Sequence, residues 1–264
     1  MTDTASIVDL AYADYDGRVM YLDLHRPADG PDPLPVIVWI PVGGWRGSAK
    51  ENAPIWLTKH GFAVVSPNCR VSGEAIAPAA IHDCKAAVRW LRANSEKHRL
   101  DPERIGSAGS SAGGHLSALL AVSRGVEELE GNGGNPDQSS AVRAALAVCG
   151  PTDLSRIAIP EIREQFPVLY EVTENFLGGP VAERAELSRL MSPLTYVSNE
   201  CPPLLVIHGG EDPTVPVEES LILHRALQEA GAEVILRRLE GVGHGCPWDQ
   251  MEDSVVSFFQ EKLR

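Results

Sequence analysis

The chain has 264 residues, of which 44% are hydrophobic and 22% charged, a composition typical of a globular protein that buries a core. Its 36 acidic and 23 basic residues give a formal net charge of −13, which would repel nucleic acid and anionic membrane surfaces, so no nucleic-acid partner is expected. No apolar stretch approaches the roughly 18 to 20 residues of a membrane-spanning helix, so no membrane span is expected either.

Predicted strands and helices alternate along the chain. Runs of β-branched and apolar residues predict strands, and apolar residues recurring every three or four positions predict helices. Because strands joined through helices pair in parallel by right-handed crossovers, we expect an α/β protein with a mostly parallel central sheet and helices on both faces. In chain order, the predicted elements are a strand at Val36–Ile40, a strand at Phe62–Val65, a helix at Ala79–His98, a short strand at Arg104–Ala108, a helix at Ala112–Arg124, a strand at Ala144–Val148, a strand at Leu204–His208, a helix at Val217–Ala230, a strand at Val234–Leu239 and a helix at Trp248–Leu263.

Two segments break this alternation. Residues 125–140 are acidic, rich in Gly and Asn and without an apolar period, which predicts an exposed, mobile loop. Residues 153–198 carry aromatic residues but no strand pattern, which predicts a small insertion that lies over the sheet as a lid or part of a pocket. The chain shows neither an internal repeat nor a linker, so residues 1–264 are expected to form a single domain.

The segment "GSAGSSAGGHL" contains three serines that are candidates for a nucleophile. A sharp strand-to-helix turn that exposes a reactive serine requires very small residues two positions before and two positions after it. Ser107 follows an isoleucine at that spacing, and Ser110 lies between two alanines. Ser111 lies between Gly109 and Gly113, so it matches the G-x-S-x-G pattern and is the predicted nucleophile.

A serine hydroxyl reacts only when a base takes its proton, and the base needs a carboxylate to orient it. In G-x-S-x-G enzymes these partners follow in the order acid, then histidine. Asp212 lies just after the predicted strand "LLVIH", and His244 lies in the Gly-rich segment "LEGVGHG" after the next strand. Both residues therefore follow strand ends, where parallel sheets build their sites. Asp212 is the predicted acid, with Glu211 as the alternative; a plain turn aspartate and a plain loop histidine are the competing interpretations.

Backbone amides must also face the negative charge that develops on the substrate. The amide of Ala112 directly follows the serine, and "VIVWIPVGGWRGS" supplies Gly43 and Gly44 after the first predicted strand. Trp45 and Trp248 lie beside these segments, so we expect them to bind substrate, although either could equally be a packing residue.

The cysteines and histidines predict no bound metal. The five cysteines are widely spaced and odd in number, which favours buried, reduced thiols over a disulfide framework. The eight histidines lack metal-ligand spacing, so no bound metal is expected. Acyl transfer through a serine requires no organic cofactor, so none is expected either. His115 and His208 are expected to lie in the core or behind the site.

These motifs resemble one protein family, in order and along nearly the whole chain. The matching segments are "DGRVMYLDLHRPADG", "VWIPVGGWRGSAK", "VVSPNCRVS", "IHDCKAAVRWLRANSEKHRLDPERIGSAGSSAGGHLSALLA", "CGPTDL", "MSPLTYVS", "PPLLVIHGGEDPTVP" and "EGVGHG". The chain is similar to α/β-hydrolases of the esterase/lipase group related to hormone-sensitive lipase, and most to its small bacterial branch of feruloyl- or acetyl-esterase-like enzymes. The resemblance implies the α/β-hydrolase fold, no cofactor, and a site built of the nucleophile Ser111, the general acid/base His244, its acid Asp212, and the oxyanion donors Gly43, Gly44 and Ala112.

The sequence departs from this family at two places. Relatives usually read His-Gly-Gly-Gly-Trp where this chain has Pro41-Val42 before the two glycines and the tryptophan. The donor glycines remain, but the chain enters their loop differently. Cys69 stands where a tyrosine commonly precedes the arginine, which we interpret as a change in packing.

The expected function is a serine carboxylic-ester hydrolase acting on a small-molecule ester, with a short acyl group or a small aromatic group of the feruloyl or acetyl type. The same residues would serve a same-fold amide hydrolase, such as a formamidase or a peptidase. A non-catalytic ligand-binding protein is a third interpretation, and only Pro41-Val42 favours it. A homodimer stays open, because several relatives dimerise through terminal strands or helices. The N-terminus lacks a signal-peptide pattern, so a cytoplasmic location is expected, although a signal removed earlier would leave the same start.

Overall fold

The computed structural model describes residues 3–30 and 32–264. Its strands are β1 (Thr4–Tyr15), β2 (Arg18–Pro27), β3 (Leu34–Ile40), β4 (Val42–Gly43), β5 (Gly47–Ser48), β6 (Ala63–Pro67), β7 (Leu100–Ser110), β8 (Ala144–Val148), β9 (Leu204–Gly209) and β10 (Val234–Leu239). Its α-helices are α1 (Ala79–Ala93), α2 (Ser95–His98), α3 (Ala112–Val122), α4 (Glu127–Glu130), α5 (Pro160–Gln165), α6 (Pro167–Leu177), α7 (Ala185–Leu190), α8 (Glu218–Ala230) and α9 (Trp248–Lys262). Short 3-10 helices cover Lys50–Asn52, Ile55–His60, Leu154–Ala158, Val181–Glu183 and Pro193–Tyr196.

An eight-stranded sheet forms the centre of the protein, in the order β1-β2-β6-β3-β7-β8-β9-β10. Strands β1, β2 and β6 pair antiparallel, and every pairing from β6 to β10 is parallel. The α/β class and the mostly parallel sheet predicted from the sequence are confirmed. The antiparallel β1–β2 hairpin was not predicted, and most of β1 is solvent-exposed because it forms the edge of the sheet.

Strand β3 shows why the sheet is covered on both faces. Side chains alternate between the two faces of a strand. Val36, Val38 and Ile40 pack into the cluster formed with α1, α3 and α8. Ile37 and Trp39 pack into the second cluster, formed with α9. A continuous apolar run is therefore required here, because both faces of the strand are buried.

Two predicted elements have different bounds in the structure. The helix predicted at residues 79–98 is divided into α1 and α2. Asn94 ends α1, and its side-chain amide donates to the carbonyl of Trp90, so a local side-chain bond replaces continuation of the helix. The short strand predicted at residues 104–108 is longer and extends from Leu100 to Ser110.

Residues 125–140 are mostly exposed, as predicted from the sequence, but they are not irregular throughout. This segment contains α4, whose Leu129 is fully buried. Glu130 accepts hydrogen bonds from the fully buried Lys85 over 2.7 Å and from Arg89 over 3.1 Å. These basic residues lie on α1, so ion pairs between distant segments hold in place a stretch that has no apolar period of its own.

The predicted insertion at residues 153–198 is helical and contains α5, α6 and α7. Proline begins both α5 and α6, a position where its missing amide hydrogen costs no helical hydrogen bond. Leu169, Val172 and Phe176 of α6 are buried against the main core, so this helix is anchored to the body of the protein. Across the described residues, every helix is too short or too polar to cross a bilayer.

Candidate active site

Ser111 occupies a sharp turn between β7 and α3. Its backbone angles are φ 57° and ψ −124°, a conformation that costs free energy in a non-glycine residue and persists only where its surroundings enforce it. A Cβ atom at Gly109 would collide with the carbonyl oxygen of Gly113, and a Cβ atom at Gly113 would collide with that of Ile40. The turn therefore requires glycine at both flanking positions.

The two other serines of this segment have different surroundings. Ser107 is fully buried, and its Oγ accepts a hydrogen bond from the Ser117 hydroxyl over 2.9 Å. Ser110 is the last residue of β7, opposite Val148 of β8. Of the three, only Ser111 has its hydroxyl within hydrogen-bond distance of a histidine.

The structure brings Ser111, Asp212 and His244 together. His244 Nε2 lies 2.9 Å from Ser111 Oγ, and His244 Nδ1 lies 2.7 Å from Asp212 Oδ2. Asp212 lies in the loop after β9, and His244 lies in the loop after β10, so both follow the carboxyl ends of parallel strands. The distances form one hydrogen-bonded chain from carboxylate to imidazole to hydroxyl.

Backbone amides orient the Asp212 carboxylate. Its Oδ1 accepts from the amides of Thr214 and Val215 over 2.8 and 2.9 Å. Burial disfavours the charged carboxylate, but hydrogen bonds from His208, His244 and these amides outweigh that effect and hold the pKa of Asp212 well below its usual range. Asp212 is therefore ionised at neutral pH.

The carboxylate in turn raises the pKa of His244. Burial alone would lower this pKa, but the hydrogen bond to Asp212 and its negative charge outweigh burial. The alternative acid, Glu211, is solvent-exposed, and its backbone amide bonds to the carbonyl of Val242. The geometry therefore favours Asp212 over Glu211 as the partner of the imidazole.

Two of the three predicted oxyanion donors line the same cavity as Ser111. These are Gly44, in the loop after β4, and Ala112, the first residue of α3. Gly44 has a φ of 54°, which glycine adopts without strain. Gly43 does not line this cavity; it lies in β4, opposite Gly47 of β5.

Trp45 lines this cavity and is at the same time held in place by a network of buried contacts. It is 1% exposed, and its ring stacks on Phe176 of α6 with centroids 4.7 Å apart. Its Nε1 donates to Nδ1 of His115 over 3.2 Å, and His115 Nε2 donates to the carbonyl of Met191 over 2.7 Å. Burial lowers the pKa of His115 to about 4, so this imidazole is neutral and accepts the indole proton.

The cavity beside Ser111 has a volume of about 220 Å³. Three residues of α6 line its wall, and the sequence singled out none of them: Val168, Leu169 and Val172. Most lining side chains are apolar, so the cavity suits an uncharged group. Its lining residues are Gly44, Trp45, Arg46, Ser111, Ala112, Pro151, Val168, Leu169, Val172, Thr214, Val215 and His244.

Trp248, the other tryptophan expected to bind substrate, does not line the cavity beside Ser111. Its ring packs against Trp39 and Trp56, with centroid distances of 5.6 and 5.2 Å. Trp39 belongs to the core cluster on the α9 face of the sheet, whereas Trp45 belongs to the cluster on the other face. Closeness to His244 in sequence did not bring Trp248 to the cavity, because α9 begins there and directs the ring toward the opposite face.

Two cysteines lie behind the imidazole. Cys149 Sγ, an Asp212 oxygen and a His244 nitrogen all lie within 4.8 Å of one another, and Cys246 Sγ lies 3.3 Å from Cys149 Sγ. The Asp212 and His244 atoms are close because a hydrogen bond joins them. All five cysteines of the chain are thiols, and four of them are buried.

The chain is similar to known esterases in both sequence and structure. Residues 22–227 match the BD-FAE family model. The chain is 33% identical to esterase LipQ and 33% identical to esterase LipC, both from Mycobacterium tuberculosis, over 83% and 87% of its own length. These matches cover 52% of LipQ and 58% of LipC, so the chain spans little more than half the length of these relatives.

Solved structures agree closely in fold. A truncated carbohydrate esterase from gut microbiota superposes with a TM-score of 0.87 at 30% identity, covering 98% of this chain and 96% of that one. Esterase Est2 from Thermogutta terrifontis with bound propionate has a TM-score of 0.77 at 25% identity, covering 98% of this chain and 93% of that one. The central sheet is therefore that of the α/β-hydrolase fold. The chain belongs to the BD-FAE family, within the α/β-hydrolase esterases related to hormone-sensitive lipase.

Proposed function

We propose that this protein is a serine carboxylic-ester hydrolase in which Ser111, His244 and Asp212 form a catalytic triad. The observation that carries the proposal is the pair of hydrogen bonds at His244, 2.9 Å from Nε2 to the Ser111 hydroxyl and 2.7 Å from Nδ1 to the Asp212 carboxylate. A neutral imidazole with its proton on Nδ1 leaves Nε2 free to accept the serine proton.

The proposed reaction has two steps. As Ser111 Oγ attacks the ester carbonyl, its proton passes to His244 Nε2, and His244 then gives that proton to the departing alcohol. Water attacks the resulting acyl-enzyme in the same way and releases the acid. Asp212 stays ionised throughout and stabilises the imidazolium, in keeping with its lowered pKa.

Negative charge on the carbonyl oxygen would be bound by backbone amides. The amide of Ala112 belongs to the first turn of α3, where helical amides are unpaired and the helix dipole favours negative charge. The amides of Gly43 and Gly44 are the proposed further donors, and the position of Gly44 on the cavity wall supports its assignment more strongly. A donor of this kind contributes roughly a hundredfold in rate.

The size and polarity of the cavity support a small ester as substrate. A mostly apolar space of about 220 Å³ suits a short acyl group or a small aromatic one, such as an acetyl or feruloyl group. Among similar structures, one is named a carbohydrate esterase and another was solved with propionate. Both names support esters of short acyl groups, including esters of carbohydrates, as the first substrates to test.

The decisive experiment compares wild type with Ser111→Ala and Ser110→Ala on p-nitrophenyl esters of increasing acyl length and on a matched anilide. Wild type is expected to hydrolyse esters with acyl groups from acetyl to butyryl faster than esters with longer acyl groups. It is also expected to hydrolyse the anilide poorly. Ser111→Ala should lower kcat/KM by a factor on the order of 10³ or more, while Ser110→Ala stays within a few-fold of wild type. An active Ser111→Ala variant, or a wild type that a fluorophosphonate leaves unlabelled, would refute the proposal. Faster cleavage of the anilide would reassign the protein as an amide hydrolase.

A further inference from the structure

A second histidine contacts the carboxylate of Asp212. His208, at the end of β9, is fully buried, and its Nε2 lies 3.2 Å from Asp212 Oδ2. This is the same oxygen that accepts from His244 Nδ1 over 2.7 Å. Two imidazoles from different segments therefore share one carboxylate oxygen.

The other contacts of His208 define its proton arrangement. Nε2 also lies 3.1 Å from the carbonyl oxygen of Val215, and Nδ1 lies 2.7 Å from the hydroxyl of Ser220 on α8. A carbonyl and an ionised carboxylate can only accept, so Nε2 must carry a proton. In the neutral ring, Nδ1 then accepts from the Ser220 hydroxyl, and every polar atom of the buried ring has a partner.

The hydrogen bonds of Val215 and His208 form a closed ring of contacts with Asp212. The amide of Val215 donates to Oδ1 of Asp212, while the carbonyl of Val215 accepts from His208. His208 thus contacts Oδ2 of the carboxylate and also the turn whose amides hold Oδ1. Because β9 is an interior strand of the sheet, its histidine provides a rigid support for a residue that itself lies in a loop.

From this geometry we infer that His208 is a positioning residue for the reaction. It orients the Asp212 carboxylate toward His244. Because it binds the same oxygen, it also weakens the stabilisation that this carboxylate gives to the protonated His244 imidazole. Without the His208 donor, the Asp212 carboxylate interacts with His244 alone. It then stabilises the His244 imidazolium more strongly, so the pKa of His244 rises. Loss of this donor also frees the carboxylate to turn, which lowers kcat more than it raises KM.

The groups that titrate near these rings do not account for such a change. Asp212 and Cys149 both affect the pKa of His208 and the pKa of His244. A hydrogen bond with Cys246 and burial raise the pKa of Cys149, so this thiol stays neutral through the range in which histidine titrates. The hydrogen bond from Cys149 lowers the pKa of Cys246, but Cys246 is common to all the variants compared, so its contribution cancels.

The matched pair His208→Met and His208→Gln separates the donor from the shape of the ring. The two side chains have nearly equal length, but only glutamine places an N–H group near the position of Nε2. NMR titration of the His244 imidazole in folded protein gives a readout that needs no substrate. We expect its midpoint to rise by about half a pH unit or more in His208→Met and to stay near wild type in His208→Gln.

A kinetic double-mutant cycle supplies the second readout and rests on the proposed function. His208→Met should lower kcat about tenfold or more in the wild type, and it should cost almost nothing further in an Asp212→Asn background. If His208→Met does not fold, His208→Asn replaces it, since asparagine can reach Ser220 but not Asp212. An unchanged or lowered His244 midpoint in the variant without the donor, or an equal shift in His208→Gln, would overturn the inference. A wild type without esterase activity would instead count against the proposed function and leave the NMR test in force.

Discussion

The indole of Trp45 and the imidazole of His115 are joined by a buried hydrogen bond of 3.2 Å, and solvent barely contacts either ring. Trp45 follows Gly44 in the loop after β4, and His115 lies one turn after Ser111 on α3. The contact therefore ties the loop that contains Gly43 and Gly44 to the helix that begins directly after the serine. Trp45 also has a φ of 52°, an unusual value for a bulky residue that packing must sustain.

Trp45→Phe removes the indole donor and leaves His115 Nδ1 buried without a partner. We expect kcat on a short ester to fall about tenfold with KM changed little, because the amides proposed to stabilise the transition state are displaced while the cavity remains. Trp248→Phe is the matched control and should stay within a few-fold of wild type, because Trp248 packs against Trp39 and Trp56. Equal losses in the two variants would contradict this role of Trp45.

Asp212→Asn and Glu211→Gln distinguish the two carboxylates of the loop after β9. An asparagine at 212 removes the charge that orients His244 and stabilises its protonated form, so kcat should fall on the order of 10⁴-fold. Glu211→Gln should have little effect, because Glu211 is exposed. Steady-state kinetics on one p-nitrophenyl ester compares them, and the reverse order would assign Glu211 as the acid.

The pH dependence of kcat/KM should follow the His244 imidazole. In the proposed mechanism His244 acts as a base only when it is neutral. Activity should therefore fall as the pH drops below the pKa of His244 and should increase as the pH rises above it. Since Asp212 raises the pKa of His244, the midpoint of the acidic limb should lie above the ordinary histidine value of about 6.5. A pH–rate profile at constant ionic strength measures it, and a midpoint below 6 would show that burial outweighs the carboxylate.

Glu130→Gln tests the ion pairs that hold residues 125–140. The variant leaves the fully buried Lys85 and the nearly buried Arg89 without their carboxylate, so we expect a loss of about 2 to 4 kcal/mol in the free energy of unfolding. Urea denaturation measures this loss, and kcat should be nearly unchanged because Glu130 does not line the cavity beside Ser111. Glu127→Gln is the control on the same helix, since Glu127 is exposed and should change stability little.

Local requirements of the backbone explain what could be predicted from the sequence. Where a strand turns sharply into a helix at a serine, glycine is needed two positions before and two positions after that serine. Gly109 and Gly113 meet this requirement, so the steric pattern selects Ser111 before any contact is known. The order of Asp212 and His244 after their strands is likewise a property of the chain, because parallel strands place their carboxyl ends at one edge of the sheet. The α/β class follows from the alternation of strands and helices.

Contacts between distant segments could not be predicted in this way. The sequence treats Trp45 and Trp248 alike, yet they pack on opposite faces of the sheet. It likewise gave no reason to join Glu130 to Lys85, or His208 to the oxygen that His244 also uses. Glu130 and Lys85 are 45 positions apart along the chain, whereas His208 and Asp212 are only four apart. In both cases, which atoms meet depends on side-chain packing across several elements. The sequence by itself determined the fold class and the residues of the candidate triad, because backbone sterics and strand order are local. Only the tertiary structure decided what supports those residues, because buried polar groups must find their partners wherever folding brings them.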